Sequence, residues 1–316
     1  MKYVEDKVVY VPQESGVEGM YKMMELAARQ CYQTLDLVKE GSAHKLIDKV
    51  CIAGGHTSVL EFGTVYLKMY DEGADAERVE AYERDRFSRV LTHNGIAYIT
   101  TTYRTIMQGD YDDPIEAIQK KFDKPWLDDL EYMVEQPSMW HHKRYCFQIT
   151  CDRGGGESFV RHRGEYGVSF AKESTRYCNY TKNRFGNELL ISVPSKMYDL
   201  IDNYAANGND WLLTASIDEQ IDFLRKNDKS WNIYEDSIKN DEKSYINLIN
   251  EGWKPEDARG VLPLDVKTQF MMSTYYEGWR MFMFRRLAHD AHPHVQSIAQ
   301  MINKEFNDRF GLKFKF

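Results

Sequence analysis

Tyr145–Cys151 constrains the fold of this chain more than any other stretch. Tyr145, Phe147, Ile149 and Cys151 alternate with Cys146, Gln148 and Thr150, and a period of two predicts a strand with two unlike faces. The strand runs into Asp152-Arg153-Gly154-Gly155-Gly156 and then Phe159-Val160-Arg161-His162-Arg163. Three successive glycines predict a flexible or tight turn. They match neither the dinucleotide fingerprint G-x-G-x-x-G nor a P-loop. From Arg161 to Arg176, three arginines and a histidine fall within 16 residues, among Ser, Thr and Tyr hydroxyls, with Glu165 and Glu173 as the nearby acids. Two readings are open for this segment. One is a solvated charged face. The other is a site for a small anion, since guanidinium groups offer planar, permanently charged donors to phosphate or carboxylate.

The charge balance bears on that choice. With 41 basic against 49 acidic residues the chain carries a net charge of −8, which argues against nucleic acid or a membrane surface as partner. A basic cluster in an acidic protein suggests a small anionic ligand instead. No run approaches the roughly 18 apolar residues of a membrane span, and Met1-Lys2-Tyr3-Val4-Glu5-Asp6 shows no apolar signal region. The five cysteines (Cys31, Cys51, Cys146, Cys151 and Cys178) form neither a disulfide framework nor a zinc pattern. A reduced, cytoplasmic chain is expected.

Residues 3–11 read as one strand. Met20, Met23, Met24, Ala27, Ala28 and Cys31 recur at helical spacing and predict an amphipathic helix over 17–32. A second helix fits 43–53, closed by Gly54-Gly55. His56 and Ser58 fall in the loop before a strand over 64–70, where ligand contacts concentrate. Residues 71–95 read as an exposed helical stretch, and 96–104 fits either a strand or the start of a helix. Segments 107–144 and 198–250 lack the pattern of a core and read as peripheral insertions, the second helical. Pro255 with Glu256 and Asp257 marks a helix start. Residues 266–288 read as one long helix, and 295–306 as the last. The expectation is a single domain over 1–316, α/β or α+β, with a mixed sheet flanked by long helices.

His289, His292 and His294 invite a metal, but their spacing across Pro293 does not put all three on one helical face and no paired carboxylates flank them. No metal is expected. His141 and His142 read as surface residues. His162, between two arginines, is expected to have a depressed pKa. No cysteine has a histidine at a nucleophile-motif spacing, which favours chemistry carried by a cofactor.

Arg161-His162-Arg163, followed by Ser174-Thr175-Arg176-Tyr177-Cys178-Asn179-Tyr180 and preceded by Cys151-Asp152-Arg153-Gly154, resembles the signature of the flavin-dependent thymidylate synthases (ThyX). Ala27-Ala28-Arg29 resembles that family's first helix and Gly55-His56-Thr57-Ser58-Val59-Leu60-Glu61 its flavin-contacting loop. Val261-Leu262-Pro263-Leu264, Lys267-Thr268, Trp279-Arg280, Arg286 and Ala291-His292-Pro293 resemble its C-terminal blocks. The resemblance implies a ThyX-like fold and a homotetramer with FAD in active sites shared between subunits. NADPH would reduce the flavin, methylenetetrahydrofolate would supply the one-carbon unit, and C5 of dUMP would be methylated to give dTMP. By the same resemblance His56, Ser58, Arg161, His162, Arg163 and Arg286 would contact FAD. Ser158, Lys172, Glu173, Ser174, Arg176 and Gln269 would contact the nucleotide, Ser174 and Arg176 at its phosphate.

The chain departs from the family pattern at informative places. Ten residues separate Arg163 from Ser174 where the family has seven, and the glycines at 164 and 167 suggest a loosened loop. Ser158 stands where the family has glutamine, and Gln269 where many members have arginine. Gln296 takes the place of the arginine that would help ionise N3 of uracil. A carboxamide stabilises an anion less well than a guanidinium, so His294, Lys172 or Lys267 would have to replace that charge. Two further readings follow: modification of C5 of dCMP, whose N3 carries no proton, or a non-catalytic paralogue that binds FAD and nucleotide.

Overall fold

In the computed structural model of the chain, residues 1–14, 16–108, 142–164 and 166–314 are described. The strands are β1 (Lys2–Val4), β2 (Lys7–Tyr10), β3 (Thr64–Tyr70), β4 (Arg89–His93), β5 (Ile96–Thr102), β6 (Arg144–Asp152), β7 (Ser169–Lys172), β8 (Leu190–Ser192) and β9 (Lys267–Tyr275). The principal helices are α1 (Gly16–Tyr32), α2 (Ala76–Arg84), α3 (Arg153–Val160), α4 (Ser195–Ala206), α5 (Ile217–Asn227), α6 (Lys229–Asn250), α7 (Tyr276–Arg286) and α8 (Pro293–Phe310). The class is α+β, as the sequence predicts.

An antiparallel sheet in the order β2-β6-β9-β7 carries the fold. Strand β6 pairs with β9 from Arg144↔Tyr275 to Asp152↔Lys267. Its two faces do different things, as the alternation demands. Tyr145, Phe147, Ile149 and Cys151, with Phe270 and Met272 of β9, bury against Trp279 and Phe282 of α7 and Val295, Ile298 and Phe306 of α8. Cys146, Met271 and Ala171 bury on the opposite side against Met20, Met24, Ala27 and Ala28 of α1. Between α1 and that face lies a chain of amides: Gln148 donates to Gln30 (2.7 Å), Gln30 to Gln269 (3.0 Å), and Gln269 to the Thr150 hydroxyl (3.2 Å). A second sheet, β3-β5-β4, packs into the α1 core through Val65, Leu67, Ala97 and Ile99. Helices α4–α6 form a block with a core of its own around Met197, Ile201, Leu224 and Trp231. Helix α6 then packs Ile238 and Tyr245 on Cys178, Tyr180 and Ile191.

Several sequence expectations need correction. Residues 3–11 are two strands in different sheets, since β1 pairs with β8 and β2 with β6. The helix expected over 43–53 is a short α-turn, Ser42–Leu46, that widens into a π-turn, Ile47–Ile52. The charged stretch 71–95 ends in strand β4, and 96–102 is strand β5. The largest correction is at 266–288, where β9 precedes α7. A central strand covered on both faces is apolar at successive positions, so its pattern cannot be told from that of a buried helix. The three glycines are not a turn. They lie in the first turn of α3, whose N-terminus is capped by the Asp152 carboxylate accepting from Gly155 N–H. His142 is buried, not at the surface. His141 and nearly all of the expected insertion 107–144 lie outside the described residues.

At Tyr166 and Gly167 the loop with the extra residues is held down. Gly167 has φ of +56°, and a Cβ there would meet Arg86 O at 2.6 Å, so only glycine fits that approach. Thr274 donates to Tyr166 O at 2.7 Å.

Candidate functional site

A cleft of about 370 Å³ opens between the end of α1, the start of α3 and the turn after β7. The turn is docked by backbone bonds: Ser174 N–H donates to Cys31 O (2.9 Å), and Cys178 N–H to Ser174 O (2.9 Å). Its floor is built by close approach of α3 to β9. A Cβ on Gly156 would lie 2.9 Å from Thr268 Cγ2 and 3.1 Å from Lys172 Nζ, so a larger residue would push both away.

Charge in the cleft is unbalanced. Glu157 is taken by Lys172 at 2.5 Å. Glu173, nearly fully buried, is taken by Lys267 at 2.8 Å, and it also accepts from Tyr180 Oη (3.0 Å) and Gln269 N–H (3.2 Å). Arg153, Arg176 and Arg259 also line the cleft, and among the described residues none of the three has a carboxylate partner. Arg153 donates to Leu262 O (3.2 Å) and Arg259 to the Thr175 hydroxyl (3.4 Å), while the Arg176 guanidinium lies 5.4 Å from the centre of the Tyr177 ring. Three uncompensated guanidiniums around one cavity of an acidic protein make a site for an anion.

A second basic group lies beyond the other end of α3. Arg286 Nε donates to His162 Nε2 at 2.9 Å, and Arg286 Nη2 to Ser158 O at 3.1 Å. Burial, then the neighbouring Arg286, Arg285 and Arg161, lowers the His162 pKa to about 4. The imidazole is therefore neutral at physiological pH, with its proton on Nδ1. Arg161, Arg163 and Arg285 are exposed around it, and none has a carboxylate partner among the described residues. Helix α3 spans the distance between the two groups, about 12 Å for its eight residues at ~1.5 Å each.

His56, Ser58, Lys172, Glu173, Ser174 and Arg176 of the sequence-predicted set line the cleft. Arg161, His162, Arg163 and Arg286 form the second group. Ser158 does not line the cleft, and its hydroxyl donates to Gly154 O at 3.3 Å. Gln269 is tied into the amide chain under α1. Gln296 caps the end of α7, its side-chain nitrogen donating to Ala288 O (3.0 Å) and Leu287 O (3.4 Å). Sequence reasoning missed Arg153, although it stands inside the quoted Cys-Asp-Arg-Gly motif. It also missed Arg259, which meets the turn across 84 residues of chain and carries no local signal. His294, which the sequence offers as a replacement for the charge absent at Gln296, does not line the cleft. It is buried between Asp6 and Asp152, one carboxylate at each ring nitrogen. Burial opposes its charge, but the two carboxylates outweigh burial and raise its pKa to about 10. No cluster able to hold a metal occurs among the described residues, and no described helix is long and apolar enough to cross a membrane.

No curated protein matches the chain. The sequence profile of the family described as thymidylate synthase complementing protein matches residues 89–310, a span that holds the second basic group and the cleft's arginines. With more than two thirds of its residues inside that match, the chain belongs to this family, the flavin-dependent thymidylate synthases.

Proposed function

We propose that the chain methylates C5 of dUMP to give dTMP, with methylenetetrahydrofolate as one-carbon donor, NADPH as reductant and FAD as resident cofactor. The observation that carries this reading is the cleft in which Arg153, Arg176 and Arg259 stand without carboxylate partners among the described residues while lysines neutralise Glu157 and Glu173. Ser174 and Arg176 hold the nucleotide phosphate there, and Lys172, paired with Glu157, lines the cleft floor. Glu173 acts from behind, fixing Lys267 and the backbone of Gln269.

The second basic group fits FAD. The exposed guanidiniums of Arg161 and Arg163, with half-buried Arg286 beside them, suit a diphosphate, and neutral His162 can meet an uncharged ring without adding to the positive field. When bound, FAD supplies the hydride chemistry that links nicotinamide to the one-carbon unit. His56 and Ser58, exposed and lining the cleft, contact it beside the nucleotide. A homotetramer supports the arrangement, since a second copy can bring one basic group to face the other's cleft.

Gln296 gives no support to the cytosine reading. Recognition of cytosine by a carboxamide requires its nitrogen to donate to N3, but that nitrogen is already bonded to Ala288 O and Leu287 O. The test is turnover by FAD-loaded protein with NADPH and the folate, given dUMP or dCMP separately. Conversion of dUMP to dTMP is expected. Turnover of dCMP alone overturns the uracil reading. A yellow preparation that never oxidises NADPH with any pyrimidine nucleotide shows a binding protein, and one that takes up no FAD overturns the flavin assignment.

A further inference from the structure

We infer that the cavity beside the cleft, carrying Lys39, Lys45 and Lys49, holds the anionic glutamate tail of the folate, so that donors with several glutamates bind tighter than donors with one. This rests on the dTMP reading above. The cleft, at about 370 Å³, suits one small ligand. With the nucleotide in it, the distal half of the one-carbon donor has to lie elsewhere.

A second cavity of about 760 Å³ opens between the end of α1 and residues 36–49. Leu46 is a wall of both cavities. Ala28 and Cys51 join it in the cleft, and Arg29, Lys45 and Lys49 join it in the second cavity. A ligand passing from one to the other therefore crosses an apolar strip and arrives among cations. Arg29 is taken by buried Glu25 at 2.6 Å, and Asp36 by Arg184 at 3.3 Å. Lys39, Lys45 and Lys49 are exposed and have no carboxylate partner among the described residues, which leaves three ammoniums against Glu40. Their backbone is fixed before any ligand arrives, which lowers the ordering cost of binding. The Ser42 hydroxyl donates to Glu25 of α1 (2.6 Å) and accepts from Lys39 N–H (3.1 Å). Ala43, Ile47 and Cys51, four residues apart, bury in the α1 core, and Lys45 and Lys49, also four apart, face out.

Ligand chemistry selects the folate. Its pteridine is joined to glutamate through an uncharged p-aminobenzoyl ring, and each added γ-linked glutamate brings one more carboxylate. The ring suits the apolar strip, and spaced carboxylates suit separate ammoniums, which are compact point charges on flexible stems. NADPH in the same path would lay its diphosphate on the apolar strip, at a cost in desolvation.

The experiment is calorimetric titration of the FAD-loaded protein with folic acid as its monoglutamate and as its triglutamate. It compares wild type, the double variant Lys45→Gln, Lys49→Gln and the double variant Lys45→Arg, Lys49→Arg. Wild type is expected to bind the triglutamate roughly 5- to 10-fold tighter, the effect of two exposed ion pairs. The glutamine variant loses most of that preference, the arginine variant keeps it, and added salt shrinks it. In turnover the same difference falls on KM for the methylenetetrahydrofolate more than on kcat. Equal affinity of wild type for the two folates overturns the inference. So does a loss in the glutamine variant that falls equally on dUMP, which shows a structural role. A rise in KM for NADPH with the triglutamate preference intact overturns it in favour of the nicotinamide cosubstrate. Formation of dTMP without any triglutamate preference sinks the inference alone. A lysine-dependent preference without any turnover of dUMP sinks the functional reading and leaves the inference standing.

Discussion

Two buried carboxylate networks hold this molecule at the residue scale, and each makes a prediction. His294 joins the β1–β2 connection, through Asp6, to the cap of α3, through Asp152. Its folded pKa of about 10 lies above the ordinary 6.5. The pair is therefore fully stabilising below pH ~6.5 and fades as pH rises towards 10, because the unfolded chain gives up its proton first. Asp152 works in the other direction. Burial raises its pKa, but His294 and the Gly155 N–H outweigh burial and hold it below the ordinary 3.8, so its contribution is lost as pH falls through that range. His294→Gln is expected to cost about 3 kcal/mol near pH 6, since it leaves two buried carboxylates unpaired, and the gap to wild type narrows at pH 9–10. Urea unfolding at both pH values measures it, and a pH-independent gap contradicts the assignment. Glu173→Gln strands the Lys267 ammonium in the same way. A loss of roughly 3 kcal/mol is expected, alongside weaker dUMP binding as the Gln269 backbone loosens.

At the scale of elements, the contact of α3 with β9 matters most. Gly156→Ala gains helix propensity, yet its methyl meets Thr268 and Lys172 at 2.9–3.1 Å. The clash dominates: a net loss of about 1–2 kcal/mol is expected, with nucleotide affinity reduced because Lys172 is displaced. A thermal melt no lower than wild type refutes this. These elements also show what the sequence could reveal. Strands β3 and β6 were legible because their alternate residues differ in kind, Tyr145, Phe147 and Ile149 against Cys146, Gln148 and Thr150. Strand β9 was not, because helices cover one of its faces and α1 the other, and a uniformly apolar run has no period. The cleft turn was legible from Ser174 and Arg176, which sit close together in the chain. Arg259 and the partners of His294 come from distant segments, Asp6 lying 288 residues from His294, and no local pattern announces such a meeting.

For the whole molecule, acidic overall yet carrying two basic groups without carboxylate partners among the described residues, assembly and salt are the informative variables. Light scattering of the FAD-loaded protein is expected to give a mass four times that of the 37.1 kDa chain. A monomer that is fully active argues against sites shared between copies. Affinity for dUMP is expected to fall with added salt, because guanidinium contacts at the cleft mouth are screened over roughly 8–10 Å. Helix α3 has one more consequence. It begins at Arg153, in one basic group, and leads directly to Arg161–Arg163, in the other, so it serves as a ruler. Inserting one residue midway would swing the far end by about 100° and lengthen it by only ~1.5 Å, turning the arginines away while moving them hardly at all. Lineages of this fold can therefore vary their loops in length far more readily than this helix, and natural insertions and deletions should avoid it.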